Sequence, residues 1–189
     1  MHSDTKQIAP HMKEFGLCLL GRSVVDVTFG EQMNRYAHAM GAMRGAHAAE
    51  IIIKARIAEE HPLLIFKKCP KSNSKPGSLL SIKELLNDGQ TLMYNELPEV
   101  LWATTGQRIP NPKQFSEFGH IRNLIAHFAV PPINLTEKTL QFAFQVMEPM
   151  IFAFWNIDIF EYIAQYNQND EECIHEQLKQ FKISYTRRL

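Results

Sequence analysis

The stretch NPKQFSEFGHIRNLIAHF, residues 111–128, decides the fold class. Asn111 is suited to cap a helix through its side-chain oxygen, and Pro112 to take the first helical position, where a missing N–H costs nothing. The helix should run to about Phe128 and stop before Pro131 and Pro132. On a wheel of ~100° per residue, Phe118, Ile121, Ile125 and Phe128 share one face, the expected core side. Ser116, His120, Asn123 and His127 are spaced four, three and four apart and share a polar stripe. Gly119 and Ala126 lie between that stripe and Arg122, a shallow strip that would suit a phosphate-containing ligand or a partner helix. Arg122 and His127 are five residues apart, so a straight helix sets them roughly 140° apart. They need a long arginine side chain, a local bend or a second subunit to meet. Asn123 and His127 are neighbours at a spacing of four, so the amide can orient the ring and select its tautomer.

The rest of the chain is patterned for helices too. A long helical signal runs from about Gln32 to Glu60 and ends at His61-Pro62, where proline cannot continue it. Its small residues, Gly41, Ala42, Gly45, Ala46, Ala48 and Ala49, invite close approach of another helix, and Ile51, Ile52, Ile53 and Ile57 supply core bulk. Residues 62–77 read as a loop broken by Pro70, Pro76 and Gly77. Ser78 or Ser81 is a cap for a short helix through Leu86, closed by Asn87-Asp88-Gly89. A helix is predicted from Tyr94 to Ala103, a long apolar one from Thr136 to about Tyr166 with a kink at Pro149, and a last one from Asp170 to about Ile183. Val24, Val25, Val27 and Phe29 read as a short strand or an extended arm. The expectation is an all-α chain, with an arm over residues 1–30 and one helical domain over 31–189. Trp102 and Trp155 are expected in the core, and the Phe-rich helix around Phe142 and Phe144 in the core or in a dimer interface.

Composition bounds the function classes. The chain has 189 residues, 45% of them hydrophobic and 21% charged, with twenty basic residues against twenty acidic ones. A pI near 7.1 argues against a strong nucleic-acid binder, which carries a basic excess, but suits an enzyme that holds RNA transiently. Lys67, Lys68, Lys71, Lys75 and Lys83 cluster without an acid among them, and Lys179, Lys182, Arg187 and Arg188 make the end basic. Cys18, Cys69 and Cys173 are odd in number and far apart, which fits a reducing compartment. The spacing suits neither a structural zinc nor a metalloprotease. The start lacks the apolar core of a signal peptide, and the most apolar stretch is interrupted by Glu148, Pro149, Asp158 and Glu161. A cytoplasmic protein with no membrane partner, metal or cofactor is expected.

The residue types around Arg122 suit RNA. A ribose 2′-OH attacks its adjacent phosphorus when a base takes its proton, and an imidazole, with an unperturbed pKa of ~6.5, is well matched to that task. A guanidinium offers a permanent positive fork to the extra charge of the transition state. DNA lacks the 2′-OH and is excluded from this route. The segment Ile121-Arg122-Asn123-Leu124-Ile125-Ala126-His127-Phe128 resembles the signature of the HEPN superfamily (higher eukaryotes and prokaryotes nucleotide-binding): an arginine, a polar residue that is often asparagine, then a histidine four to six positions after the arginine. The context is similar as well, with the motif late in an all-helical chain and followed by another long helix.

The resemblance implies a HEPN-like helical bundle that forms a homodimer, with the arginines and histidines of both subunits converging in a cleft at the interface. It implies a metal-independent endoribonuclease, in a toxin–antitoxin, anti-phage or stress role, with an antitoxin protein as a further partner. Carried over, Arg122, Asn123 and His127 are the catalytic residues. His120 and Ser116 on the same polar stripe, and Glu50 on the long early helix, are the chain's own further candidates for touching substrate or orienting the site. A toxin subgroup extends the motif to Arg-x4-His-x-Tyr. Here Ala129 stands at the tyrosine position, which speaks against control by modification of that tyrosine. The alternative is a non-catalytic module of the same superfamily that binds a nucleotide or a protein partner; a third reading is a helical interaction protein with a chance motif.

Overall fold

A computed structural model describes residues 7–30, 34–69, 80–164 and 170–185. Expectations placed on Gln32, Lys71, Lys75, Ser78, Tyr166, Arg187 and Arg188 fall outside these. Among the described residues the regular structure is helical apart from two short paired strands. It packs as two compact units, Met1–Glu14 with Glu50–Arg108, and Phe15–Ala49 with Ile109–Leu189. No helix among the described residues is long and apolar enough to cross a membrane.

The first unit takes the beginning of α1 (Ile8–Phe29) and the later part of α2 (Ala37–Glu60). Ile52, Ile53 and Ile57 of α2 are fully buried, as their spacing predicts. A 3₁₀ turn at Pro62–Ile65 follows, then β1 (Phe66–Lys68), so the loop expected from residue 62 begins with ordered backbone. β1 pairs antiparallel with β2 (Gln90–Thr91), Phe66 opposite Thr91 and Lys68 opposite Gln90. Between them lies α3 (Ile82–Asp88), opened by a capping box in which the Ser81 hydroxyl accepts from the Glu84 N–H and Glu84 reaches back to the Ser81 N–H. α4 (Leu97–Thr105) ends at Gly106, whose φ of 73° is left-handed backbone that glycine adopts without strain. Lys67 donates to the Glu96 carboxylate, and together with the Met93 N–H it holds that carboxyl below the usual carboxylate range. Trp102, expected in the core, is 46% exposed and lies under the Arg108 guanidinium, 4.8 Å from its ring centroid. It belongs to a short helix whose inner face is already filled by Leu97 and Leu101.

In the second unit, the strand or arm expected near the N-terminus is a helix. Val24, Val25, Val27 and Phe29 are the last turns of α1. Leu17, Leu20, Val24 and Val27 are at most 1% exposed. Their spacing of three, four and three is the helical period, and burying that stripe outweighs the modest strand preference of valine. The small residues of α2 do what their sizes predict. Ser23 Oγ donates to the Gly41 carbonyl at 2.7 Å, so the two helix backbones lie close. A Cβ added at Gly41 would sit 2.6 Å from Val27 Cγ1 and 3.3 Å from the Ser23 carbonyl oxygen. Gly41→Ala gains about 1 kcal/mol of helix propensity but must push a stiff, buried valine and a helix backbone, an overpacking cost of about 1–3 kcal/mol. The clash wins. A melting temperature a few degrees below wild type is expected by thermal denaturation, and a higher one would disprove the close contact.

α5 (Pro112–His127) is capped by Asn111, whose Oδ1 accepts from the Gln114 N–H at 3.3 Å. α6 (Leu135–Phe142) is capped by Asn134, while Thr136, expected to open it, donates its hydroxyl to the Val27 carbonyl at 2.9 Å. The predicted single helix from Thr136 is three pieces. α6 runs into a wide π turn at Ala143–Met147, α7 (Glu148–Trp155) follows, and Asn156 in left-handed backbone ends it. Pro149 has no N–H to give the carbonyl four residues back, and the wide turn ahead of it accommodates the loss. α8 (Phe160–Ile163) and α9 (Asp170–Gln180) complete the unit, with the Phe160 ring 5.5 Å from Phe144 and 4.8 Å from His175.

Candidate functional site

α5 is anchored by aromatic packing. Phe118 stacks on Phe142 with ring centroids 4.0 Å apart and planes 8° from parallel, and Phe115 lies 6.2 Å from the same ring. With Phe115, Phe118 and Ile121 buried, the azimuth of every other α5 residue follows. Ser116, His120, Asn123 and His127 are all exposed, so the polar stripe faces solvent. Arg122, half-buried at the edge of the core face, donates from a terminal guanidinium nitrogen to Asn123 Oδ1 at 2.9 Å. The amide that helical spacing offers to His127 is thus engaged by the neighbouring arginine.

Two expectations on this helix need correction. Phe128, assigned to the core face, is 89% exposed. The helix ends at His127, and at φ −137° and ψ −78° Phe128 has left helical geometry, so the wheel no longer describes it. Gly119, expected on an open strip, is buried. The open space lies on the other flank of Arg122. There a groove of about 700 Å³ is lined by Arg122, Ile125 and Val130 on one side and by Tyr36, Ala39, Met40, Met43, Arg44 and His47 on the other. Its volume falls in the ordinary range for ligand sites.

Arg122 is therefore the sequence-predicted site residue that lines the groove, and Asn123 is bonded to it. His127 does not line the groove. Ile125 and His127 lie on opposite flanks of Arg122, by about −60° and +140° of helical rotation. His120 and Ser116 share the His127 side. Glu50 belongs to the other unit, where it accepts from Lys54 Nζ at 2.6 Å, with Lys54 also donating to Thr91 Oγ1 at 3.0 Å.

No family model, curated protein or solved structure matches the chain.

The α2 wall of the groove was not anticipated. Its signal is nevertheless present, since Tyr36, Met40, Met43 and His47 are spaced four, three and four apart, the same stripe spacing as in α5. The small residues of α2 signal close packing, and the larger side chains on the adjoining face form the groove wall. Arg44 is held by Asp26 of α1, which also accepts from Arg22 Nε at 2.8 Å. The Asp26 side chain is only 11% exposed. A smaller hollow of about 200 Å³ around Arg22, Asp26 and Arg44 shares Met40 and Arg44 with the groove. Chemically, the region offers guanidinium forks for a phosphate, an apolar lining, and an exposed imidazole at the end of the same helix as Arg122.

Proposed function

We propose that the chain is a metal-independent endoribonuclease of the HEPN type, which cleaves RNA by attack of a ribose 2′-OH on the adjacent phosphate. The observation that carries this reading is the Arg122 guanidinium on the wall of an open groove, bonded to Asn123, with His127 exposed at the end of the same helix. Arg122 clamps the phosphate and its developing charge. Asn123 holds the Arg122 fork in place. His127 moves the proton as general base or acid. The role as a toxin or as an anti-phage or stress nuclease, with an antitoxin as partner, rests on the motif's resemblance alone. Incubating varied RNAs with the purified protein in excess chelator tests the activity. Cutting that persists supports it, and intact RNA with every substrate rejects it. One feature favours the alternative of a non-catalytic nucleotide- or protein-binding module: within one chain, His127 and the groove lie on opposite flanks of Arg122.

A homodimer removes that difficulty, because a second copy can bring its histidine to the first copy's arginine. Supporting this, Phe128 is 89% exposed beside His127, with Val130 at 42% and Ile133 at 43% close by in sequence. Three large apolar side chains exposed within six residues would suit a surface that a second copy covers. Sedimentation equilibrium should give twice the chain mass of 21.8 kDa for the native protein and a single chain mass for Phe128→Asp. A native monomer that still cuts RNA would remove the second subunit from the mechanism.

A further inference from the structure

We propose that the groove between α2 and α5 is a binding track for one nucleotide of single-stranded RNA beside the cleaved bond, with Arg44 as its second phosphate-gripping cation. The proposal rests on the nuclease reading for the identity of the substrate, but the binding it describes is separable from cleavage.

Arg44 and Arg122 line the same groove from different helices, and among the described residues that line it none is acidic. Two planar guanidinium forks on facing walls suit the oxygens of a phosphate far better than they suit an apolar or cationic ligand. Arg44 is preorganised. Asp26, paired with both Arg44 and Arg22, holds one terminal nitrogen of the Arg44 fork, while the Arg44 side chain keeps 33% of its surface open. Among the described residues that line the groove and the hollow, Arg22, Arg44 and Arg122 are cationic and Asp26 is the one acid, although the whole chain is neutral. Ala39, Met40, Met43 and Ile125 supply an apolar lining, and Tyr36 is 47% exposed with the Arg35 guanidinium 4.6 Å over one face of its ring. An apolar lining with an aromatic side chain accepts the face of a base without reading its edge. The groove is open rather than enclosed, and it shares Met40 and Arg44 with the hollow around Arg22. An extended strand fits that shape better than an isolated small molecule.

The test uses the full chain carrying His127→Ala and a fluorescein-labelled, fully 2′-O-methylated RNA of mixed sequence, which cannot be cut. Affinity is read by anisotropy at several salt concentrations. Adding Arg44→Ala should weaken binding by about 10- to 100-fold, the loss of a charge-assisted contact, and lower the slope of log affinity against log salt by about one. Arg56→Ala, on a cation paired with Glu59 and Glu60 away from the groove lining, should leave both unchanged. Should Arg44→Ala fail to fold by circular dichroism, Met43→Glu decides, since a carboxylate in the groove lining should produce a similar loss. Unchanged affinity and salt slope in a folded Arg44→Ala, or in Met43→Glu, overturns the proposal. So does 5′-AMP competing as strongly as the oligomer, which would make the groove a mononucleotide pocket. Because the RNA is uncleavable, a protein that binds in this way yet never cuts RNA would reject the nuclease and leave the track standing.

Discussion

Alanine at either Arg122 or His127 is expected to lower chelator-resistant RNA cleavage by about 10²- to 10⁴-fold, the usual worth of a proton-transfer group or a preorganised charge at the transition state. The fold should be untouched. His127 is exposed, and its replacement should cost about 0.5 kcal/mol or less; Arg122 is half-buried and bonded to Asn123, and its replacement should cost about 1 kcal/mol more. The loss can therefore be assigned to chemistry once circular dichroism shows both variants folded as wild type. Arg122→Lys should recover little, because an ammonium keeps the charge but cannot present a fork to phosphate while holding Asn123. The double variant should be hardly worse than the poorer single one, as groups acting in one step are not additive. Single-turnover rates at matched protein concentration make the measurement. Cleavage by both variants at the wild-type rate would assign the cutting to another protein in the preparation, and the mechanism would fall.

The second large effect is on stability. Phe142→Ala should destabilise the protein by about 3–5 kcal/mol. Phe142 is 0% exposed and stacks flat on Phe118, with Phe115 on its flank. Its removal leaves a void against two rings that belong to α5. At about 2–4 °C per kcal/mol for a chain of this size, the melting temperature should fall by roughly 6–20 °C. Phe142→Leu retains most of the apolar volume and should lose much less. Nuclease activity should fall with Phe142→Ala as well, since the same contact sets the azimuth of Arg122. A change of under about 1 kcal/mol would mean that α5 is held by something other than this stack.

How far these features can be read from the chain depends on where their information lies. α5 is legible because its signals are local. Asn111 and Pro112 open it, and Phe118 and Ile121 recur at helical spacing. The same local reading failed at Val24, Val25 and Val27, where branched side chains suggested a strand. A wider window that includes Leu17 and Leu20 recovers the helix. Ser81 was one of two proposed caps, and its partnership with Glu84 is what singles it out among the described residues. The polar stripe of α5 was readable, but the groove was not. Its second wall comes from α2, distant in sequence, and no periodicity within one helix reveals which neighbour faces it. The pairing of Arg44 with Asp26 is invisible for the same reason, because it depends on how closely Gly41 lets α2 approach α1. The bond from Arg122 to Asn123 shows a further limit. Spacing identifies which side chains are within reach of each other, but not which partner takes the amide when two are available.

Gly45 lies where α1, α2 and α5 come together. A Cβ there would sit 2.7 Å from Ser23 Oγ and 3.7 Å from the Phe118 ring. With nothing to cushion that junction, the three helices are seated backbone to side chain and cannot drift apart without opening a void. The neighbouring cleft has give in its unbranched thioethers, Met40 and Met43, which change rotamer at little cost. A rigid chassis with a pliable lining measures the distance between charges far more strictly than the shape of what lies between them.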